Sequence, residues 1–528
     1  MRIATIVACT FLAVGCVSGR GRLDPAAMAM GAATRAAERA DALLLTGCYR
    51  CLLEARSTYA SLADGPLAQR VQPRWFESAI LVTLREKELS LPADESYRQA
   101  EQVAARLPAG FEARRILRLV AAVPPDAEGS GRLQTLAFRR ALLPDARQLS
   151  SDLEWLVGSP LQPSVRTYLT LALACGEALG TFRNRALLEG DPGEAGLLVY
   201  RRNTCVSVRQ AAALEALWSA TPDFLEAAYF VARATAVGLS TGGDRTRFRT
   251  LLDAAVGAFP SSPAVTYLAG SGHQLLGSCR DALRYYDATI ALQPRHENAW
   301  LGRTMCWTAM GETSAAISSA TTLIGLGSDA HMMDAFYWRA FNHHRLKDLA
   351  AARTDIDESK RRGARPEIRT LAGIIEYEQG DLVEAQRDLD VAWGMSQRTC
   401  GAAWYLGLVH IRREAWVEAG GAFEAAMGCY LRNVTEAEAG LAALERRTDL
   451  DLAYRQQQSD GFRAAITEDR RQERAAAMNA ATCFANAGVL AKIERLVSVA
   501  SLEASLAPEI ERLREYLKER AAASSKSP

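Results

Sequence analysis

Apolar residues recur at helical spacing along nearly the whole chain, in Ala-rich amphipathic stretches broken by Gly, Pro and Asp. Alternating strand-like runs are scarce. The pattern predicts an all-α protein, and a longer period lies over it. The stretch GDLVEAQRDLDVA at 380–392 aligns with GSCRDALRYYDAT at 277–289 and GETSAAISSATTL at 311–323. Each opens on a glycine (Gly277, Gly311, Gly380) that is followed five residues later by an alanine. KDLAAARTDIDES and EAWVEAGGAFEAA continue the series. The five alanines, Ala282, Ala316, Ala352, Ala385 and Ala419, stand 34, 36, 33 and 34 residues apart. Such a period marks stacked units, each burying its apolar face against its neighbours.

The pattern resembles the tetratricopeptide repeat (TPR), a helix–turn–helix unit of about 34 residues. The resemblance implies that the alanine at repeat position 20 lets helix B approach helix A. Position 8 on helix A is small for the same reason, here Gly270, Thr304, Ala340, Gly373 and Gly407. Large residues at position 24 fill the space between repeats: Tyr286, Ile356, Leu389 and Phe423, with Ala320 the exception. Pro294, at position 32, ends its helix B because it has no backbone donor for another turn. Trp300 takes the aromatic position 4. Lys347 and Glu414 stand where the turn glycine is usual, and Arg369 replaces the position-4 aromatic.

The clear repeats span 263–432, and the segment from TPDFLEAAYFVARATAVGL to FRTLLDAAVGAFP reads as one more unit, giving a TPR superhelix over 221–432. ERADALLLTGCYRCLLEA has the same grammar, with Gly47 in the turn slot. RWFESAILVTLREKEL and ESYRQAEQVAARLP suggest another degenerate pair within 26–125. Residues 126–220 are less periodic, interrupted by PPDAEGSGR and EGDPGEAG. Within 433–528, MNAATCFANAGVLAKIERLVSVA resembles a worn repeat, APEIERLREYLKER a capping helix, and AAASSKSP a tail. The expected fold is therefore an all-α TPR-type solenoid with degenerate N-terminal repeats and a C-terminal cap.

At the N-terminus, Arg2 precedes a 12-residue apolar run from Ile3 to Val14. That is too short to span a bilayer and reads as a secretory signal. Ala13-Val14-Gly15-Cys16 resembles the lipobox of bacterial lipoproteins, although Ala13 stands where Leu is usual. The resemblance implies a signal peptide over 1–15, a lipidated Cys16 and a tether over 16–25. Val17 follows Cys16, not the Asp of inner-membrane retention, so in a Gram-negative cell the outer membrane is favoured. Charge changes little: 62 Lys and Arg nearly cancel 61 Asp and Glu, and no basic footprint for nucleic acid is visible.

Setting aside Cys9 and Cys16, nine cysteines remain. Cys48 and Cys51 fall just after a turn, at the start of a helix B. Zinc would need further ligands that no second C-x-x-C or nearby C-x-x-H supplies, and a thioredoxin-type couple would need a βαβ setting. A structural disulfide is the expectation, with a helix start tightened to close it. By repeat register, Cys400 and Cys429 (positions 1 and 30) can meet. Cys279 and Cys306 (position 17, and position 10 of the next repeat) share one edge of the stack, so both pairs are expected to bond. Cys175 and Cys205 have similar separation without register to support them, and Cys483 is left as a buried thiol.

No G-x-x-x-x-G-K-[ST], H-E-x-x-H or G-x-S-x-G occurs, so catalysis, a metal site and a cofactor have no support in the sequence. His273, His343 and His410 fall on position 11 and read as packing residues. His331, beside Met332 and Met333, reads as part of a loop leading into a helix A. TPR stacks bind along a concave groove lined by positions 2, 5, 9, 12 and 13 of helix A. Carried over, these are Tyr267, Gln274, Asn298, Met305, Tyr337, Phe341, His344, Arg345, Tyr377, Trp404 and Arg412. The set lacks the Lys/Asn/Arg clamp by which TPR chaperone cofactors hold a terminal carboxylate. The expected function is a non-enzymatic, lipid-anchored adaptor that binds a protein or peptide partner in envelope assembly or transport. The alternative is a glycan-binding lipoprotein of the starch-utilisation type, for which 126–220 is the candidate platform.

Overall fold

The computed structural model describes residues 25–123, 151–152, 154–174, 195–205, 211–239, 244–327, 329–448, 450 and 452–524. Cys16, the signal segment, the Cys175 position and the Cys205 side chain lie outside the described residues, as does much of 126–220. Among the described residues the elements are helices and short 3₁₀ turns, with no strand.

Five consecutive helical hairpins carry the period. Repeat I pairs Pro263–Leu275 with Cys279–Leu292, repeat II Glu297–Met310 with Thr313–Gly325, and repeat III Asp329–Arg345 with Leu349–Arg362. Repeat IV pairs Pro366–Gln379 with Leu382–Met395, and repeat V joins Cys400–Arg412 to the long helix Trp416–Glu445. Several starts are capped by side chains: Ser262, Asp348 and Asp381 each accept from the backbone N–H three residues on. The turns between helices A and B need a left-handed residue, and Gly277, Gly311 and Gly380 supply it at φ +80°, +84° and +88°. Lys347 and Glu414 adopt the same geometry at φ +62° and +57°, so the turn persists where glycine is missing.

Helix contact within a repeat follows from size. A Cβ on Gly270 would come 2.7 Å from the Tyr286 ring, one on Gly373 2.5 Å from Leu389, and one on Gly407 2.6 Å from Phe423. Each is the position-8 residue against the position-24 residue. Tyr286 is also wedged from the other side, 2.4 Å from a Cβ on Gly302 of repeat II, so one ring fills both gaps. The position-20 alanines are all fully buried.

Upstream, Leu225–Gly238 and Arg245–Ala258 form the preceding hairpin, and Pro25–Thr46 with Tyr49–Leu62 form one at the start. Between them, Ala68–Glu88 is buried almost continuously from Phe76 to Glu86 and serves as a central helix for the N-terminal half. The described parts of the less periodic stretch (Pro163–Ala174, Gly196–Cys205 and Ala211–Ala220) are helices, and Tyr168, Leu169, Leu197, Tyr200 and Leu214 join the same core. That core also holds charge. The buried Arg85 guanidinium donates to Glu226, lies 3.1 Å from Glu88, and stacks 3.8 Å from the Tyr200 ring centre. Arg201 Nη1 and the Tyr168 hydroxyl both donate to Glu88 Oε1 at 2.7 Å. Two cations and two carboxylates balance, which is what a buried cluster of charges requires.

At the far end, Leu452–Ala487 folds back along Trp416–Glu445, then Ile493–Ala500 and Ala507–Ser524 close the stack. Residues Ala476 to Ala485 of the returning helix pack with Phe423, Met427 and Leu496 as a further helix A would. The Phe484 ring lies 2.7 Å from where a Cβ on Gly420 would stand.

The cysteines sort into bonded and free. Cys48 caps the helix Tyr49–Leu62 and bonds Cys51 across a Cα separation of 4.9 Å. Cys400 and Cys429 bond at a Cα separation of 5.4 Å, tying the start of helix A of repeat V to its helix B. The expected Cys279–Cys306 bond is a correction: both are free thiols, although they lie close enough for Cys279 to act as a hydrogen-bond partner of Cys306. Register brings the pair together without joining it: Cys306 is buried in the core around Tyr286, and Cys279 packs half-exposed against that core at a helix start. A second correction concerns His331, which lies within the helix Asp329–Arg345 and not in a loop. Among the described residues no helix is long and apolar enough to cross a membrane.

Candidate functional site

The A helices set the groove residues by register, and the structure gives each a distinct environment. Tyr267, Asn298, Met305, Tyr337, Phe341, His344, Tyr377 and Trp404 are half-buried, and Arg345 and Arg412 are exposed. Gln274 is taken up by packing, because it accepts the Tyr286 hydroxyl at 2.5 Å. Tyr267 lies 4.8 Å from the His296 ring and 6.1 Å from Tyr286, so its contacts are with the first two repeats.

Repeat III is the richest part. Tyr337 and Phe341 are one turn apart and pack against the core formed by Ala340, Ile356, Ile368 and Leu371. Trp338 bridges them edge-on, 5.2 Å from Tyr337 and 5.9 Å from Phe341. Burial pushes the Tyr337 phenol above its ordinary range, so it is a neutral hydroxyl at physiological pH. In repeats IV and V, Tyr377 meets Tyr405 edge-on at 5.6 Å, and Trp404 meets Phe423 edge-on at 5.4 Å. Each ring has an edge held by the fold.

The arginines are held too. Arg345 Nη1 donates to the Thr308 carbonyl at 3.0 Å, and Arg412 Nη1 donates to the Tyr377 carbonyl at 3.1 Å. Both are position-13 side chains reaching position 12 of the preceding helix A, whose carbonyls also accept from the turn glycines Gly311 and Gly380. Arg412 also lies 4.1 Å from the centre of the Tyr377 ring. Glu378 sits between Lys347 Nζ at 3.1 Å and His344 Nε2 at 3.2 Å. Arg345, Arg412 and Lys347 are therefore each tied by a hydrogen bond or ion pair on this face.

Trp338, Tyr405 and the Arg–carbonyl ties are absent from the sequence expectation. The two aromatics stand one residue past position 5, where register assigns them away from the groove. The signal that could have found them is the adjacent pairs Tyr337-Trp338 and Trp404-Tyr405. Among the described residues no group of three or more His, Cys, Asp or Glu is arranged to hold a metal ion. His273 and His410 are half-buried, and burial pulls both below the usual imidazole range. His343 is half-buried as well.

No family model and no curated relative matches the chain. Among solved structures it is similar to MamA, with 16% identity over 31% of this chain and 95% of that one, at a TM-score of 0.29. It is similar to YrrB, titled a TPR protein with an unusual peptide-binding site, at 15% identity over 34% and 91% of the two chains and a TM-score of 0.30. A tetratricopeptide repeat protein from Parabacteroides merdae gives 17% identity over 52% and 99%, with a TM-score of 0.31. The TPR-type solenoid stands on the packing of positions 8, 20 and 24 and on the left-handed turns.

Proposed function

We propose that the chain is a lipid-anchored scaffold at the cell envelope that binds a protein or peptide partner along the groove of repeats I to V. The observation that carries the reading is the series of half-buried rings on successive A helices, Tyr337, Phe341, Tyr377 and Trp404, beside the exposed and already oriented Arg345 and Arg412. Aromatic and arginine side chains are the usual anchors of protein interfaces. Rings with one edge packed and guanidiniums already hydrogen-bonded lose little freedom on binding, which lowers the entropic cost of association. The anchor rests on the lipobox-like run ending at Cys16. The envelope role rests on that anchor together with the groove.

The test compares two sets of alanine variants for partner binding and for melting. The inner set is Tyr337, Phe341, Arg345 and Trp404; the outer set is Arg284 and Arg387, exposed on B helices. A true anchor costs at least about 2 kcal/mol, roughly 30-fold in affinity. The outer pair should cost little. Tyr337→Ala, whose ring also packs on the repeat III core, should lose melting temperature as well as binding, whereas the exposed Arg345→Ala should lose binding with little loss of melting temperature. An outer set that weakens binding while the inner set does not would move the site away from the groove.

A further inference from the structure

The N-terminal half carries a cleft that groove binding leaves unused. Three helices build it: Tyr49–Leu62 and Asp94–Ala104 each pack on Ala68–Glu88, and all three contribute side chains to its wall. Its volume is about 420 Å³, within the range that takes a small molecule.

The lining follows from helical spacing. Gln99 and Gln102 stand one turn apart on Asp94–Ala104, and Arg106 continues the same face just past its end. Arg56 and Ser57 come from Tyr49–Leu62, and Trp75 from Ala68–Glu88. Two guanidiniums therefore line the cleft, and among the described residues no carboxylate does.

Each guanidinium is held in place by one of its nitrogens. Arg56 Nη1 donates to the Ser96 hydroxyl at 3.1 Å, and Ser96 donates in turn to Glu86 at 3.0 Å. Ser96 and Glu86 are both buried, so this tie is part of the core and not a surface accident. Arg106 Nη1 donates to the exposed Asp64 at 3.1 Å, and its guanidinium lies 5.2 Å from the centre of the Trp75 ring. An arginine has five N–H donors in a fixed fork, so most of them stay free for a ligand. An exposed ion pair contributes little in water, so sharing Arg106 with an incoming anion costs little.

We propose that this cleft binds an anionic sugar, its carboxylate or phosphate group on the Arg56 and Arg106 guanidiniums and its hydroxyls on Gln99, Gln102 and Ser57. Planar guanidinium forks match the oxygens of either anionic group. Carboxamides and hydroxyls both donate and accept, as sugar hydroxyls do. Gln99 Nε2 donates to Glu95 at 3.1 Å, which uses one of its two donors. A nucleotide fits less well. Trp75 packs against the core and carries Arg106, so its indole holds a cation in place and is no open platform for a flat base. The cleft lies on other helices than the groove, and neither site depends on the other.

Titrations of the full chain by calorimetry and saturation-transfer NMR test this with four probes: glucuronate, glucose 6-phosphate, glucose and inorganic phosphate. At least one of the two acid sugars should bind, and which of them does tells carboxylate from phosphate. Glucose and inorganic phosphate should bind at least about 10-fold more weakly, since each lacks one half of the contacts. Arg106→Gln and Arg56→Gln should each weaken the acid sugar at least about 10-fold. Arg106 is exposed, so its variant should keep the melting temperature, whereas Arg56→Gln also loses the tie to Ser96. Tyr337→Ala, in the groove, should leave sugar binding unchanged. No binding of either acid sugar up to about 10 mM, a range that covers even millimolar affinity, overturns the site. Binding that Arg106→Gln leaves intact overturns it too. Glucose or inorganic phosphate bound as tightly as the acid sugars overturns the anionic sugar as its ligand.

Discussion

Gly407 and Gly421 both lie inside helices of repeat V, and the structure predicts opposite signs for the same substitution. Gly407→Ala places a methyl 2.6 to 2.7 Å from three atoms of the Phe423 ring, closer than carbon atoms approach without movement. Phe423 is fully buried and stacked edge-on against Trp404, so the ring cannot swing into solvent. Overpacking of this kind costs typically about 1–3 kcal/mol. Replacing glycine by alanine within a helix returns about 1 kcal/mol of backbone entropy. The net is a destabilisation of about 1–2 kcal/mol at the upper part of that range, and at least no gain at the lower part. Gly421 meets nothing within 4 Å, so Gly421→Ala should keep the whole helical benefit, about 0.5–1 kcal/mol. Stacked repeats need not unfold in one step, so the assay is hydrogen exchange of the amides in Cys400–Arg412 and Trp416–Glu445, read beside urea midpoints. Faster exchange in Gly407→Ala and slower exchange in Gly421→Ala are expected. Equal stabilisation by both would refute the position-8 to position-24 contact as the constraint on helix approach.

His296 caps the helix Glu297–Met310 through Nδ1, which accepts from Ala299 N at 3.2 Å, and burial pulls its imidazole down to about 4. Its folded value lies below the unfolded one, so the neutral cap contributes stability at neutral pH that is lost as pH falls from about 6.5 towards 4, by about 3 kcal/mol in full. An acid titration of melting temperature should lose that component in His296→Asn, which caps without titrating. Non-reducing peptide mapping should recover Cys48–Cys51 and Cys400–Cys429 as bonds and Cys279, Cys306 and Cys483 as thiols. Removing the Cys400–Cys429 bond should cost roughly 3–4 kcal/mol on the chain-entropy model. Cys16→Ser should release the protein from the membrane fraction and abolish acyl labelling; unchanged membrane association would exclude the lipid anchor.

The repeat architecture was legible because its determinants are local in register. A small residue at position 8 facing a large one at position 24 is visible as Gly270 with Tyr286 or Gly407 with Phe423 before any coordinates. The left-handed turn is visible wherever glycine marks it, and Lys347 and Glu414 show that stacking can hold it without glycine. The 30-residue length of the last helix B was not legible for a physical reason: nothing stops the helix. Repeat I has Pro294 at position 32, but repeat V has Leu431 there, followed by the helix-forming run EAEAGLAALE. The repeat period ends at 432 while the helix continues to Glu445. The buried cluster joins Arg85 to Glu226 across 141 residues, and no spacing rule reaches that far. Cysteine register located the contact between Cys279 and Cys306 but predicted a bond where both are free thiols. Groove positions were assigned from the repeat, yet which of them pack and which face outward depends on neighbours such as Trp338 and Thr308, which position numbers do not describe.

The proposed protein partner lies along the A helices of repeats I to V, with Tyr337, Phe341 and Tyr377 of repeats III and IV among its contacts. Site-specific photo-crosslinking in the expressing cell tests that placement most directly, with a benzophenone side chain placed in turn at Tyr337, Phe341, Tyr377, Arg284 and Arg387. The account predicts adducts to one and the same partner from the three groove positions and none from the two outer ones. Adducts that arise from Arg284 or Arg387 while Tyr337, Phe341 and Tyr377 stay silent would contradict it.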